Sequence, residues 1–176
     1  TFDCIYEYLT AQHVEYMSPF YQQFKDNKET HLGGYWGYFD GVMLNKTMEV
    51  LQQQTQPHFS MVTTITMHES LNLYDAETQQ QYVKKAKENP QSASFNKPER
   101  LASAIYTDDC LRKWMHQYSQ LPNYDNTIFI IVGDHSSGIK QDGSKLSFHH
   151  VPLIIWSPLL KKTQQFNSIV THNDLA

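Results

Sequence analysis

Asp134 and His135 stand directly behind an apolar run, residues 128–132, and a single glycine. The run, IFIIV, lacks the alternation of a half-exposed strand. It predicts a strand buried on both faces, as in a parallel sheet under helices. An acid and an imidazole at the carboxyl end of such a strand lie where open α/β sheets carry their chemistry. Side by side, they offer one cation an oxygen and a nitrogen ligand. The plainer alternative is that Asp134 caps the next turn and His135 is an ordinary loop histidine. His68 repeats the arrangement, because it follows a second β-branched run, FSMVTTIT at 59–66. Two such strands in one parallel sheet would bring both loops to the same edge.

Several elements must hold these residues. Phe2, Ile5, Tyr6 and Leu9 are spaced for one helix face in an aromatic-rich opening segment. Asp40 is placed to cap a helix over about 41–54, with Met43, Leu44, Met48 and Leu51 inward. Residues 74–87 predict an exposed helix, and 88–98 a loop with two prolines. A long helix is predicted over 99–120, with Leu101, Ala104, Ile105, Leu111, Met115 and Tyr118 on one stripe. Asp108 falls on that stripe, and a buried carboxylate there would tie the helix to a neighbouring loop. Residues 153–156 predict a third strand, stopped by Ser157-Pro158, and 168–171 a short further one. All seven glycines lie within 33–41 or 133–143, so two loops use backbone shapes that other residues refuse.

The 176 residues suffice for one domain with a real core. A net charge of −4 and the lack of any Lys/Arg cluster argue against a nucleic-acid partner. No apolar run approaches the ~20 residues of a membrane span, and there is no signal peptide. Cys4 and Cys110 are too few and too far apart for a disulfide framework or a zinc ribbon. No GxGxxG follows any predicted strand, which argues against a dinucleotide-binding unit. Thr1 is not a start residue and the chain ends on THNDLA, so both ends read as cut from a longer polypeptide.

In order, the chain carries YWGYFDGVML, TTITMH, YTDDCLRKWMHQYSQLPNYDNTIFIIVGDH, HVPLIIWSP and HNDLA. This series resembles the carboxyl-terminal part of a sulfatase-type domain of the alkaline phosphatase superfamily. Within it, the sequence is similar to the lipoteichoic acid synthase and phosphoglycerol transferase branch. The resemblance is loose before Tyr35 and strong from Tyr106 to Trp156.

The resemblance implies a three-layer α/β/α sandwich around a mostly parallel sheet, incomplete at both ends, with residues 1–176 forming part of a single domain. It implies a divalent metal ion (manganese, zinc, calcium or magnesium) held partly by Asp134 and His135. Such a cation polarises a phosphoryl or sulfuryl oxygen and acidifies a nucleophilic hydroxyl. The resemblance also assigns His68 to the substrate, places His150, or His149, before the VP strand with a weaker substrate or proton-handling role for His150, and makes Trp36 similar to a pocket-lining tryptophan. Two-metal relatives carry an aspartate four residues before the histidine at 68. Thr64 stands there, so a second metal site is incomplete. Phosphoglycerol transferases use an arginine near the pocket tryptophan, but the only arginines here, Arg100 and Arg112, are distant from Trp36 in sequence. The family's nucleophile lies upstream, so the resemblance places it before Thr1, and this chain alone could not complete a covalent mechanism.

Two readings follow. The first is a metal-dependent hydrolase or transferase of phosphate or sulfate esters, completed by the remainder of the parent polypeptide. By resemblance it would act at the extracytoplasmic face of a membrane or in the periplasm. The second is a non-catalytic α/β module that binds a ligand or partner, its metal site degenerate.

Overall fold

The computed structural model describes residues 5–15, 37–95, 97–136 and 147–175. They form helices α1 (Ile5–Ala11), α2 (Asp40–Leu51), α3 (Ala76–Glu88) and α4 (Pro98–Tyr118), and strands β1 (Phe129–Val132) and β2 (Leu153–Trp156). Residues 16–36, which include the first glycine cluster up to Trp36, and the polar stretch 137–146 lie outside the described residues.

The longest element, α4, follows from its sequence. Proline occupies the first turn, where its missing N–H costs nothing, and Glu99 sits at the positive end of the helix dipole. No glycine or second proline interrupts the next twenty positions. α3 opens on a side-chain cap, with Asp75 accepting from the Thr78 amide at 2.8 Å.

α4 is shared by two cores. Near its start, Leu101 and Ala102 pack with Leu71 and with Tyr82 and Ala86 of α3. Near its end, Trp114 and Tyr118 pack with Leu44, Met48 and Leu51 of α2 and with Phe129 of β1. The Phe129 ring meets both α4 aromatics edge-on, at 6.2 Å from Trp114 and 5.1 Å from Tyr118. α3, predicted to be exposed, thus buries one face.

The sheet departs from expectation. β1 pairs with β2 antiparallel, Phe129 opposite Trp156 and Val132 opposite Leu153. Among the described residues this ribbon is the whole sheet, in place of the expected mostly parallel one between two helical layers. α4 covers Phe129, whereas Ile128, Ile130 and Val132 are exposed, so β1 is buried on one face and not on both. FSMVTTIT forms no strand. It has the side chains of a strand but no ladder partner among the described residues, and Phe59 and Met61 point into solvent. Residues 168–171 likewise remain extended without pairing.

Two carboxylates exchange roles. Asp108 is exposed and ion-paired to Arg112 one turn on, at 2.6 Å. Asp40 is the buried one, with 0% of its surface exposed. It is the first residue inside α2 and Phe39 is the cap position, so its carboxylate is free to face another segment. Oδ1 accepts from the Ile65 and Thr66 amides at 2.8 and 3.0 Å, and Oδ2 accepts from the Thr107 hydroxyl at 2.6 Å. The tie between helix and loop expected of Asp108 is made by Asp40.

Candidate functional site

The antiparallel register puts the residues after β1 beside those before β2. The approach is close at Gly133: a Cβ there would stand 3.2 Å from Cβ and Cγ1 of Val151. At the far end of the ribbon, the Ser157 hydroxyl donates to Thr127 O at 2.7 Å and fixes where β1 starts. A third segment reaches the same edge. His172, in the final 3-10 turn (His172–Leu175), places Nε2 2.9 Å from Gly133 O. A carbonyl only accepts, so Nε2 carries the proton.

Asp134 and His135 follow at once and both are exposed. Asp134 Oδ1 accepts from the His135 amide at 2.9 Å, which folds the carboxylate back over its neighbour. His135 Nδ1 lies 3.1 Å from Ser136 O. A carbonyl only accepts, so Nδ1 donates, and Nε2 is the outward nitrogen, 3.6 Å from Asp134 Oδ2.

His68 ends a 3-10 turn, Thr66–His68. Its ring stands 6.3 Å from that of His135, centroid to centroid, at 85°. The two loops therefore meet, although one follows no strand and the sheet is not parallel. Side chains of other elements fix the backbone of the His68 loop. Besides the bonds from Asp40, Arg100 Nη1 donates to Met67 O and His68 O at 3.0 and 2.8 Å. Ser103 Oγ donates to Glu69 O at 2.9 Å.

Of the residues singled out in the sequence, the structure brings His68, Asp134 and His135 together. His150 is exposed beside Val151, its amide 3.4 Å from Ser147 O. Trp36 lies outside the described residues. Thr64 is exposed, just before the turn. Sequence reasoning missed His172, Asp40 as a loop anchor and Arg100. His172 lay within the HNDLA motif, but nothing local signals a partner 39 residues away. For Arg100 the one signal is its place in the first turn of a long helix, facing whatever precedes that helix.

A comparison with family profiles decides the wider question, because the profile of the Sulfatase family matches residues 1–176. The chain belongs to the Sulfatase family. No protein of curated function matches it. A crystal structure of a protein in the alkaline phosphatase superfamily from Vibrio parahaemolyticus is similar at 24% identity and a TM-score of 0.44, over 73% of this chain. This chain spans 30% of that one.

Members of the Sulfatase family generally use divalent metal ions. The donor set at the end of β1 fits one in part. It offers a carboxylate and an imidazole nitrogen whose ring partner donates to a backbone carbonyl, as the free ring nitrogen of a metal-bound histidine usually does. The 3.6 Å between Oδ2 and Nε2 is within the bite of one cation with bonds of about 2 Å. Among the described residues, no group of three or more His, Cys, Asp or Glu is arranged to hold a metal. A site closed by protein needs at least three such ligands. The Sulfatase-family chain as described supplies two.

Proposed function

We propose that this chain is the carboxyl-terminal part of a single sulfatase-type domain and carries part of its active site. The parent would be a metal-dependent hydrolase or transferase of phosphate or sulfate esters, in the lipoteichoic acid synthase and phosphoglycerol transferase branch. The observation that carries this reading is the 6.3 Å approach of the His68 and His135 rings beside Asp134. Three chemically capable side chains from segments over sixty residues apart are gathered on one edge of a folded unit.

In this reading Asp134 and His135 hold the divalent cation, which when bound polarises an ester oxygen and acidifies a nucleophilic hydroxyl. His135 keeps its proton on Nδ1, so Nε2 remains a ligand and takes no part in proton transfer. His68 is exposed toward the space in front of His135. There it would donate a hydrogen bond to an ester oxygen and stabilise the charge that develops on it. His150, next to Val151 and hence near Gly133, would be a second group on the substrate side. Trp36 would line the substrate pocket. The nucleophile and the missing ligands would come from a preceding segment of the same domain. That segment would also supply the parallel strands and second helical layer of a three-layer sandwich, against the exposed face of Ile130 and Val132. The parent would act outside the cytoplasm.

The absence of a third ligand among the described residues favours a second reading, a non-catalytic module with a degenerate metal site. Titration with Mn²⁺, followed by calorimetry, separates the two. The enzyme reading expects binding by the full-length parent that is lost when Asp134→Ala and His135→Ala are combined. A wild-type parent that takes up no Mn²⁺, or a double variant that still binds it, leaves the module.

A further inference from the structure

The segment that carries His68 has almost no structure of its own. Its 3-10 turn contains one internal backbone bond, His68 N to Ile65 O at 2.9 Å. Such a turn is weak by itself, with poorer hydrogen-bond geometry than an α-helix. Its shape comes instead from α2 and α4. Asp40 takes the Ile65 and Thr66 amides, and its own amide donates to Thr66 Oγ1 at 2.9 Å. Arg100 takes the next two carbonyls, Met67 and His68, and Ser103 the one after. The Leu71 amide then donates to Glu99 O at 3.2 Å. Residues 65–69 are thus each bonded to a neighbouring helix, and Glu99, Arg100 and Ser103 all lie in the first two turns of α4.

The same helix holds the other half of the site. Trp114 and Tyr118, near its far end, grip Phe129 at the start of β1. From Trp114 back to Arg100 the helix rises about 21 Å at ~1.5 Å per residue. From Phe129 forward to His135 an extended chain covers about 20 Å at ~3.3 Å per residue. The two paths start at one aromatic cluster, and one leads to the anchor of His68, the other to His135.

We infer that Arg100 is a positioning residue for His68. One nitrogen bonded to two successive carbonyls fixes the peptide plane between Met67 and His68, and with it the direction in which the imidazole leaves the backbone. Asp40 pins the other side of the turn. The functional meaning of this device rests on the reading of His68 as a substrate-side group, but the device itself is a matter of geometry.

The test is the nuclear Overhauser contact between the His68 and His135 ring protons in histidine-labelled chain, with signals assigned through His68→Gln. The wild type shows the contact, Arg100→Met loses it, and Arg100→Lys, which keeps a flexible donor, recovers part of it. Throughout, the ring-shifted methyl signals around Trp114, Tyr118 and Phe129 stay in place, a result that general destabilisation would not give. A contact that persists in folded Arg100→Met, or that is absent from the wild type, overturns the inference. Should Arg100→Met not fold, Arg100→Gln carries the test: its amide reaches one carbonyl, so a weakened contact supports the inference and an undiminished one overturns it. Mn²⁺ titration of the full-length parent keeps the two questions apart. An Arg100-dependent contact, with a parent that binds no Mn²⁺, rejects the metal reading and keeps the positioning role. Mn²⁺ binding with a contact indifferent to Arg100 does the reverse.

Discussion

The ring of His68 faces that of His135 at 6.3 Å and almost at right angles, although 67 positions separate them in the chain. Neither residue is held by the other. Each is delivered by a separate anchor on α4, His68 by the first two turns and His135 through Phe129 at the last. Changes in the supporting elements therefore act on the site through this helix, and several are measurable.

Asp40→Ala removes the acceptor of two amides and one hydroxyl in a fully buried place. Buried donors left unsatisfied cost ~1–3 kcal/mol each, partly relieved by water entering the gap, so the expected loss is on the order of 3–4 kcal/mol. Asp40→Asn keeps an oxygen for the amides and lets its NH₂ donate to Thr107, so it costs about 1 kcal/mol. Urea unfolding of both variants checks the order; equal losses would show that the three bonds are not what matters.

Alkaline pH destabilises the fold through α3 and α4. Burial raises the Tyr82 hydroxyl to about 12, assisted by the nearby Asp109 carboxylate. Burial also raises Tyr106 and the Cys110 thiol, which interact with each other. Groups held neutral in the folded state contribute fully below their unfolded values, near 9 for the thiol and 10 for the tyrosines. That contribution is lost as pH climbs from there toward the folded values. The urea midpoint is therefore expected to fall between about pH 9 and 12, and to fall less in Tyr82→Phe/Tyr106→Phe. An identical slope in the double variant would contradict the assignment.

Gly41→Ala tests the close approach of α2 to α4. A Cβ at 41 would stand 2.7 Å from the Tyr106 hydroxyl and 3.3 Å from Cys110 Sγ. Alanine gains up to ~1 kcal/mol of helix propensity, while forcing a packed interface apart costs ~1–3 kcal/mol. Crowding wins, and thermal unfolding should shift downward; a rise would mean that Tyr106 moves aside freely.

His172→Ala removes the donor to Gly133 O. The bond is exposed, so the global cost is about 0.5–1 kcal/mol at most. The local effect is larger: amide exchange at Gly133–His135 quickens while that of α4 stays unchanged. Uniform acceleration across the chain would instead mark His172 as a general stabiliser.

Much of the scaffold was legible because it is local. The stripe of α4, the inward face of α2 and the two apolar runs at 128–132 and 153–156 all became elements where the side-chain pattern put them. Pairing was not legible. A strand like IFIIV without alternation reads as covered on both sides, yet here α4 covers Phe129 and leaves Ile130 and Val132 exposed. FSMVTTIT has strand composition, but composition cannot supply the neighbour that a ladder requires. Asp108 was misplaced because a stripe is wide: residues at its margin face Arg112 and solvent as readily as the core. That Asp134 and His135 directly follow a strand was legible, because the strand before them is local. Asp40, Arg100 and His172 act on backbone groups 25 to 39 residues distant, and backbone donors and acceptors leave no trace in a sequence.

The central claim is that Asp134 and His135 hold a divalent cation within reach of His68. Mn²⁺ is paramagnetic and broadens nearby proton signals, so a titration followed on the histidine ring protons tests it directly. The account predicts that the His135 ring signals vanish first, those of His68 next, and those of His58 and His116 last. Broadening that spares His135, or that strikes the histidines without regard to their distance from Asp134, contradicts it.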